Sequence, residues 1–148
     1  MKLFLDIDGV LADFDRGVQR LLGKRPDQLA PKRMWSALAR APAFFATLQM
    51  MADARNLWDF CRPLHPTILT GLPRGSWAED QKRRWVANML GRDVPVITTL
   101  SRLKHRHAAP GHILVDDRVR LRRAWETAGG TFIHHVSAER SIVQLRAV

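Results

Sequence analysis

From residue 66 onward the chain alternates short apolar runs with segments of helical period, and this alternation constrains its fold more than any other feature. The runs 66–70 (PTILT), 94–99 (VPVITT), 113–115 and 131–134 are too short for helices and rich in Ile, Val and Thr, so they are predicted strands. Between them the pattern predicts a helix capped by Ser76, with Glu79 three residues on as a capping box, running to about Leu90 and stopped by Gly91. A second helix spans 118–128 and is stopped by Gly129 and Gly130; a third covers 138–148. A fifth apolar run, KLFLDI at 2–7, opens the sequence. Strands and helices in this order predict an α/β fold: a parallel sheet of about five strands with helices on both faces. Ligands of such sheets lie beyond the carboxyl ends of the strands, which restricts where chemistry can occur.

The stretch between the first two strands has a different texture. Leu11, Phe14, Val18, Leu21 and Leu22 recur at helical spacing up to Gly23, and residues 50–61 are again helical in pattern. Between them lie Pro26, Pro31 and Pro42, which predict short helices broken by proline. Residues of about 15–57 thus read as a small helical insertion within a single domain of 148 residues.

Two of the predicted strands end in paired acids. Asp6 and Asp8 flank the end of KLFLDID, and Asp116 and Asp117 end ILVDD. Carboxylates at the end of a buried strand are costly unless a cation or hydrogen bonds compensate them. Four on one sheet edge would repel strongly, and a divalent ion with an all-oxygen ligand set, Mg²⁺ above all, resolves the conflict. Gly9 permits a sharp turn after the first pair, where a side chain would crowd a ligand.

The ordered set DIDGVLADFD, LTGLP, a lysine and LVDD, spanning residues 6–117, resembles the haloacid dehalogenase superfamily of phosphohydrolases. The longer opening string, followed by a helical insertion containing FF, looks most like its 5'(3')-deoxyribonucleotidase group. The resemblance implies a Rossmann-like core with a small helical cap, and an Mg²⁺-dependent phosphomonoesterase. Asp6 would attack phosphorus to form an aspartyl-phosphate, and Asp8 would act as general acid and base. Mg²⁺ would be held by Asp6, the backbone carbonyl of Asp8 and Asp116, with Asp117 nearby. Thr70 would offer its hydroxyl, and Gly71 its N–H, to a phosphoryl oxygen. Lys104, before VDD, fits the family position of the charge-neutralising lysine best; Arg106 is close enough to share or take the role, Arg102 could reach substrate, and Lys82 is the alternative, otherwise an ordinary exposed helix lysine. Phe14, Trp35, Phe44 and Phe45 either stack on a substrate base or form the insertion's own core.

The implied substrate is a small phosphate ester, with a nucleotide favoured. The formal charge of +10, from 24 Lys and Arg against 14 Asp and Glu, is compatible with it but spread along the chain. It also keeps open a phosphatase acting on nucleic-acid 3' ends, and a basic nucleic-acid-binding module with a vestigial site. No run reaches ~18 apolar residues, so no membrane partner is expected. The lone Cys61 fits a reducing cytoplasm. His105, His107, His134 and His135 lack zinc-like spacing and read as surface or loop residues. Oligomeric state is not encoded in any recognisable motif.

Overall fold

A computed structural model describes residues 1–148. Five strands, β1 (Lys2–Leu5), β2 (Thr67–Gly71), β3 (Val96–Thr99), β4 (His112–Asp116) and β5 (Thr131–His134), form one parallel sheet in the order β3-β2-β1-β4-β5. The predicted α/β architecture is therefore present. β1 is central and pairs with β2 on one side and β4 on the other. The chain runs outward from β1 in both directions, and that reversal opens a crevice at the carboxyl edge.

Six α-helices accompany the sheet: α1 (Phe14–Leu22), α2 (Pro31–Arg40), α3 (Ala54–Cys61), α4 (Glu79–Met89), α5 (Arg122–Thr127) and α6 (Ala138–Arg146). Successive strand side chains point to opposite faces. Leu3, Leu5, Ile68, Ile113, Val115 and Ile133 face a thick core shared with Val18, Leu38, Leu57, Trp85 and Leu145. Phe4, Leu69, Leu114 and Phe132 face a thinner layer around Trp125 of α5. The parallel strands are thus apolar on both sides, as a sheet covered by helices requires.

Several expected boundaries move. Pro26 and Pro31 open helical turns, and Pro42 follows the end of α2, so each proline bounds a helix rather than interrupting one. A proline at the first helical position loses no hydrogen bond, because that N–H has no partner anyway. Ser76 does not cap α4: the helix begins at Glu79, behind Ala78, with no side-chain cap. Acids Glu79 and Asp80 in its first turn complement the helix dipole instead. Residues 101–107, unassigned from the sequence, form a 3-10 helix.

The segment between β1 and β2 leaves and returns at adjacent points. Asp13 N–H donates to Gln49 O at 2.8 Å, and Met51 N–H to Leu11 O at 2.8 Å, pinching the two ends together. Residues 44–48 are tied to α4: Phe45 N–H donates to Gln81 Oε1 at 2.8 Å, and the Trp85 indole to Leu48 O at 2.8 Å. These bonds hold residues 44–48 against α4, the helix that follows β2.

Candidate active site

Three neighbouring strands deliver Thr70, Asp6 and Asp116 side by side. Asp6 follows β1, and its N–H donates to Val115 O at 3.0 Å, so the sheet ladder fixes its backbone. Asp116 closes β4, and its Oδ1 accepts the Arg118 N–H at 2.9 Å. Asp6, Thr70 and Asp116 are all buried. Past Asp8 the chain turns back through Gly9 at φ +81°, where a Cβ would collide with the Asp117 carboxylate. The glycine is required twice, by its left-handed backbone and by this close approach.

Two buried lysines enter the same edge. The ammonium of Lys104 donates to Asp6 Oδ1 at 2.9 Å and Asp116 Oδ2 at 2.7 Å. The three-residue repeat of the 3-10 helix turns Ser101 and Lys104 toward the sheet edge, while Arg102 and Arg106 project outward and are exposed. Neither arginine makes an ion pair. Lys82, expected as an exposed helix lysine if not the site's cation, is instead 2% exposed. It donates to Asp8 Oδ2 at 2.7 Å, Thr70 Oγ1 at 3.0 Å and the Gly71 carbonyl at 2.7 Å. Its apolar stem crosses the core while only its head meets polar partners.

The electrostatics are those of a site short of positive charge. One carboxylate oxygen from each of Asp6, Asp116 and Asp117 lies within 4.8 Å of the others. Burial, then the Asp6 charge, pushes Asp116 up to about 6 despite Lys104; burial, then Asp6 and Asp116, pushes Asp117 up to about 8. Burial alone would push Lys104 down, but Asp6 and Asp116 together hold it above the ordinary lysine value. Asp8 Oδ1 and Asp117 Oδ1 are buried with no hydrogen-bond partner. Oxygen-only donors from Asp6, Asp116 and Asp117, the last with an orphaned oxygen, converge on one point and fit a hard divalent cation.

Beside this edge lies a run of aromatic rings. Phe14 stacks on Phe45 at 6.1 Å between centroids, Phe45 on Trp77 at 5.4 Å, and Trp35 meets Phe14 at 5.7 Å. Phe44 and Phe45 are buried inside this cluster rather than presenting an open wall. Trp35 and Trp77 are half-buried, and with Leu72, Lys32 and Arg74 they line an open cleft of ≈ 720 Å³ that starts just past Gly71. Trp77 and Arg74 carried no signal in the sequence beyond a loop after LTGLP. His135, expected at the surface, is 5% exposed, its ring bonded to Ser141 Oγ at 2.7 Å, and burial holds its pKa below the usual value.

No protein-family model matches the chain, and no curated protein matches it. Solved structures do. A hydrolase from Streptococcus pneumoniae aligns with 99% of this chain and 96% of its own, at 13% identity and a TM-score of 0.55. A HAD family hydrolase from Deinococcus radiodurans, solved with bound phosphate and sodium, aligns over 99% and 93%, at 16% identity and a TM-score of 0.55. A haloacid dehalogenase-like family hydrolase from Streptococcus pneumoniae aligns over 97% and 89%, at 12% identity and 0.52. The chain therefore has the fold of the haloacid dehalogenase-like hydrolases, along its whole length.

Proposed function

We propose that the protein is an Mg²⁺-dependent phosphomonoesterase working through an aspartyl-phosphate. The observation that carries this reading is the convergence of Asp6, Asp8, Asp116, Asp117 and two buried ammonium groups on one strand edge. An Asp6 carboxylate oxygen attacks phosphorus as the ester P–O bond breaks. Asp8 delivers a proton to the departing oxygen, then takes one from the water that cleaves the Asp6–phosphorus bond, releasing inorganic phosphate. Lys104, with two of its three N–H groups on Asp6 and Asp116, has one left for a phosphoryl oxygen. Thr70 contributes its hydroxyl. Asp6, Asp116 and the Asp8 carbonyl would hold the ion, with Asp117 beside it. When bound, the ion shields the nucleophile from the negative phosphate.

The substrate we favour is a nucleotide. The Trp35–Trp77 cleft supports this, because two indoles and two cations border it and its volume suits a small organic ligand. Nucleotide binding there places the base on Trp35 or Trp77, and leaves Phe14, Phe44 and Phe45 as the support beneath.

Phosphate release from nucleoside monophosphates, sugar phosphates and 3'-phosphorylated oligonucleotides, with Mg²⁺ or EDTA, tests both levels. Equal, metal-independent rates for wild type and Asp6→Asn would remove the catalytic reading. A preference for sugar phosphates would remove the nucleotide alone.

A further inference from the structure

The two buried lysines are not equivalent. An ammonium has three N–H groups. All three of Lys82 are accounted for, on Asp8 Oδ2, Thr70 Oγ1 and the Gly71 carbonyl. Its remaining side is covered by the Phe45 ring, 4.5 Å from Nζ to the centroid. Nothing of Lys82 is left to bind a substrate.

What these bonds do to their partners is specific. Asp8 has its Oδ2 occupied and its Oδ1 buried without a partner. Thr70 Oγ1 receives a hydrogen bond from Lys82 and gives none to the protein, so its own proton is free for another acceptor. The Gly71 carbonyl ties the lysine to the end of β2, so Asp8 is referred to the sheet rather than to its own loop.

We propose that Lys82 is a positioning residue: it clamps Asp8 through Oδ2, leaves Oδ1 to carry the proton, and turns the Thr70 hydroxyl toward the phosphoryl group, without touching substrate itself. The proposal rests on the phosphatase reading above. In the first half-reaction the proton on Asp8 Oδ1 passes to the ester oxygen as its bond to phosphorus breaks. In the second, Oδ1 accepts a proton from the attacking water as the bond between phosphorus and Asp6 breaks. A loose Asp8 would impair both transfers while leaving phosphate binding to Lys104.

The test compares two esters. p-Nitrophenyl phosphate has a leaving group that needs little protonation, whereas a nucleoside monophosphate expels an alkoxide that needs it fully. Lys82→Met should lower kcat/KM, which reports the first half-reaction alone, by about 10²-fold on the nucleoside monophosphate, the scale of general acid catalysis, and by under about tenfold on p-nitrophenyl phosphate. The second half-reaction is common to the two esters, so where it limits turnover kcat should fall alike on both. The same substitution on an Asp8→Asn background should cost little more than Asp8→Asn alone, since the two act through one group. Lys82→Arg, which keeps the charge but cannot bring three donors from one nitrogen, should show the same bias more weakly, and serves if the Met variant does not fold by circular dichroism. Equal losses of kcat/KM on both esters, a KM rise with kcat unchanged, or full additivity with Asp8→Asn would overturn the clamp and leave the phosphatase standing. Wild type that turns over neither ester would instead remove the phosphatase reading, and the clamp with it.

Discussion

Removing Lys104 should produce a pH-dependent loss of stability whose size follows from the charge count around it. Its ammonium lies 2.9 Å from Asp6 and 2.7 Å from Asp116, both nearly inaccessible to water. In Lys104→Met the apolar stem is kept and one positive charge is lost. The least costly response of the buried carboxylates is to bind one more proton. At pH 7.5, protonating a carboxyl of ordinary pKa 3.8 costs up to ~5 kcal/mol, at about 1.4 kcal/mol per pH unit. Breaking a buried ion pair by deleting one partner costs ~3–5 kcal/mol, which agrees. At pH 5.5 the same proton costs only ~2 kcal/mol. The variant should therefore melt about 6–20 °C below wild type at pH 7.5 in EDTA, and the gap should roughly halve at pH 5.5. Thermal unfolding by circular dichroism at the two pH values reads both numbers. A deficit of the same size at pH 5.5 and 7.5 would refute the reasoning, because it would show that lost packing rather than unbalanced charge sets the cost.

Three further outcomes are expected. Metal-free wild type should lose stability as pH rises, because Asp116 and Asp117, raised to about 6 and about 8, hold protons that the unfolded chain releases near 3.8. That stability is fully present below pH ~4 and disappears through the two raised values; Asp117→Asn should flatten the upper part of a urea-melt pH series, and Mg²⁺ should raise the wild-type midpoint at pH 8. Gly9→Ala should cost at least ~1–2 kcal/mol for its left-handed backbone and abolish most turnover by displacing Asp117, so a variant with wild-type melting and rate would contradict the close approach described above. Cys61, buried and pushed up to about 12 by desolvation, should resist iodoacetamide in the native protein and react on unfolding, as mass spectrometry of native and urea-treated samples would show.

Much of the site was readable along the chain because its parts are local. An apolar strand that ends in acids and a glycine announces Asp6, Asp8 and Gly9 within four residues, and ILVDD announces Asp116 and Asp117 in the same way. Strand–helix alternation then implies that these ends share an edge, since parallel strands all finish on one side. The sequence by itself thus determined the sheet, its carboxyl edge and the acids on it. Only the tertiary structure decided the cations. Lys82 lies 74 residues from Asp8, and Lys104 lies 98 residues from Asp6. A lysine's long stem lets it be a surface residue or a buried one with equal local pattern, so periodicity cannot choose. The same holds for the aromatic residues: Phe44 and Phe45 are buried, and Trp35 and Trp77 line the cleft, because residues 44–48 dock on α4, a contact between segments more than 30 residues apart. His135 is interior through a shorter-range contact, since α6 folds back to place Ser141, six residues on, against its ring. Local sequence fixes which strand ends carry the acids; long-range packing fixes which charges and rings meet them there.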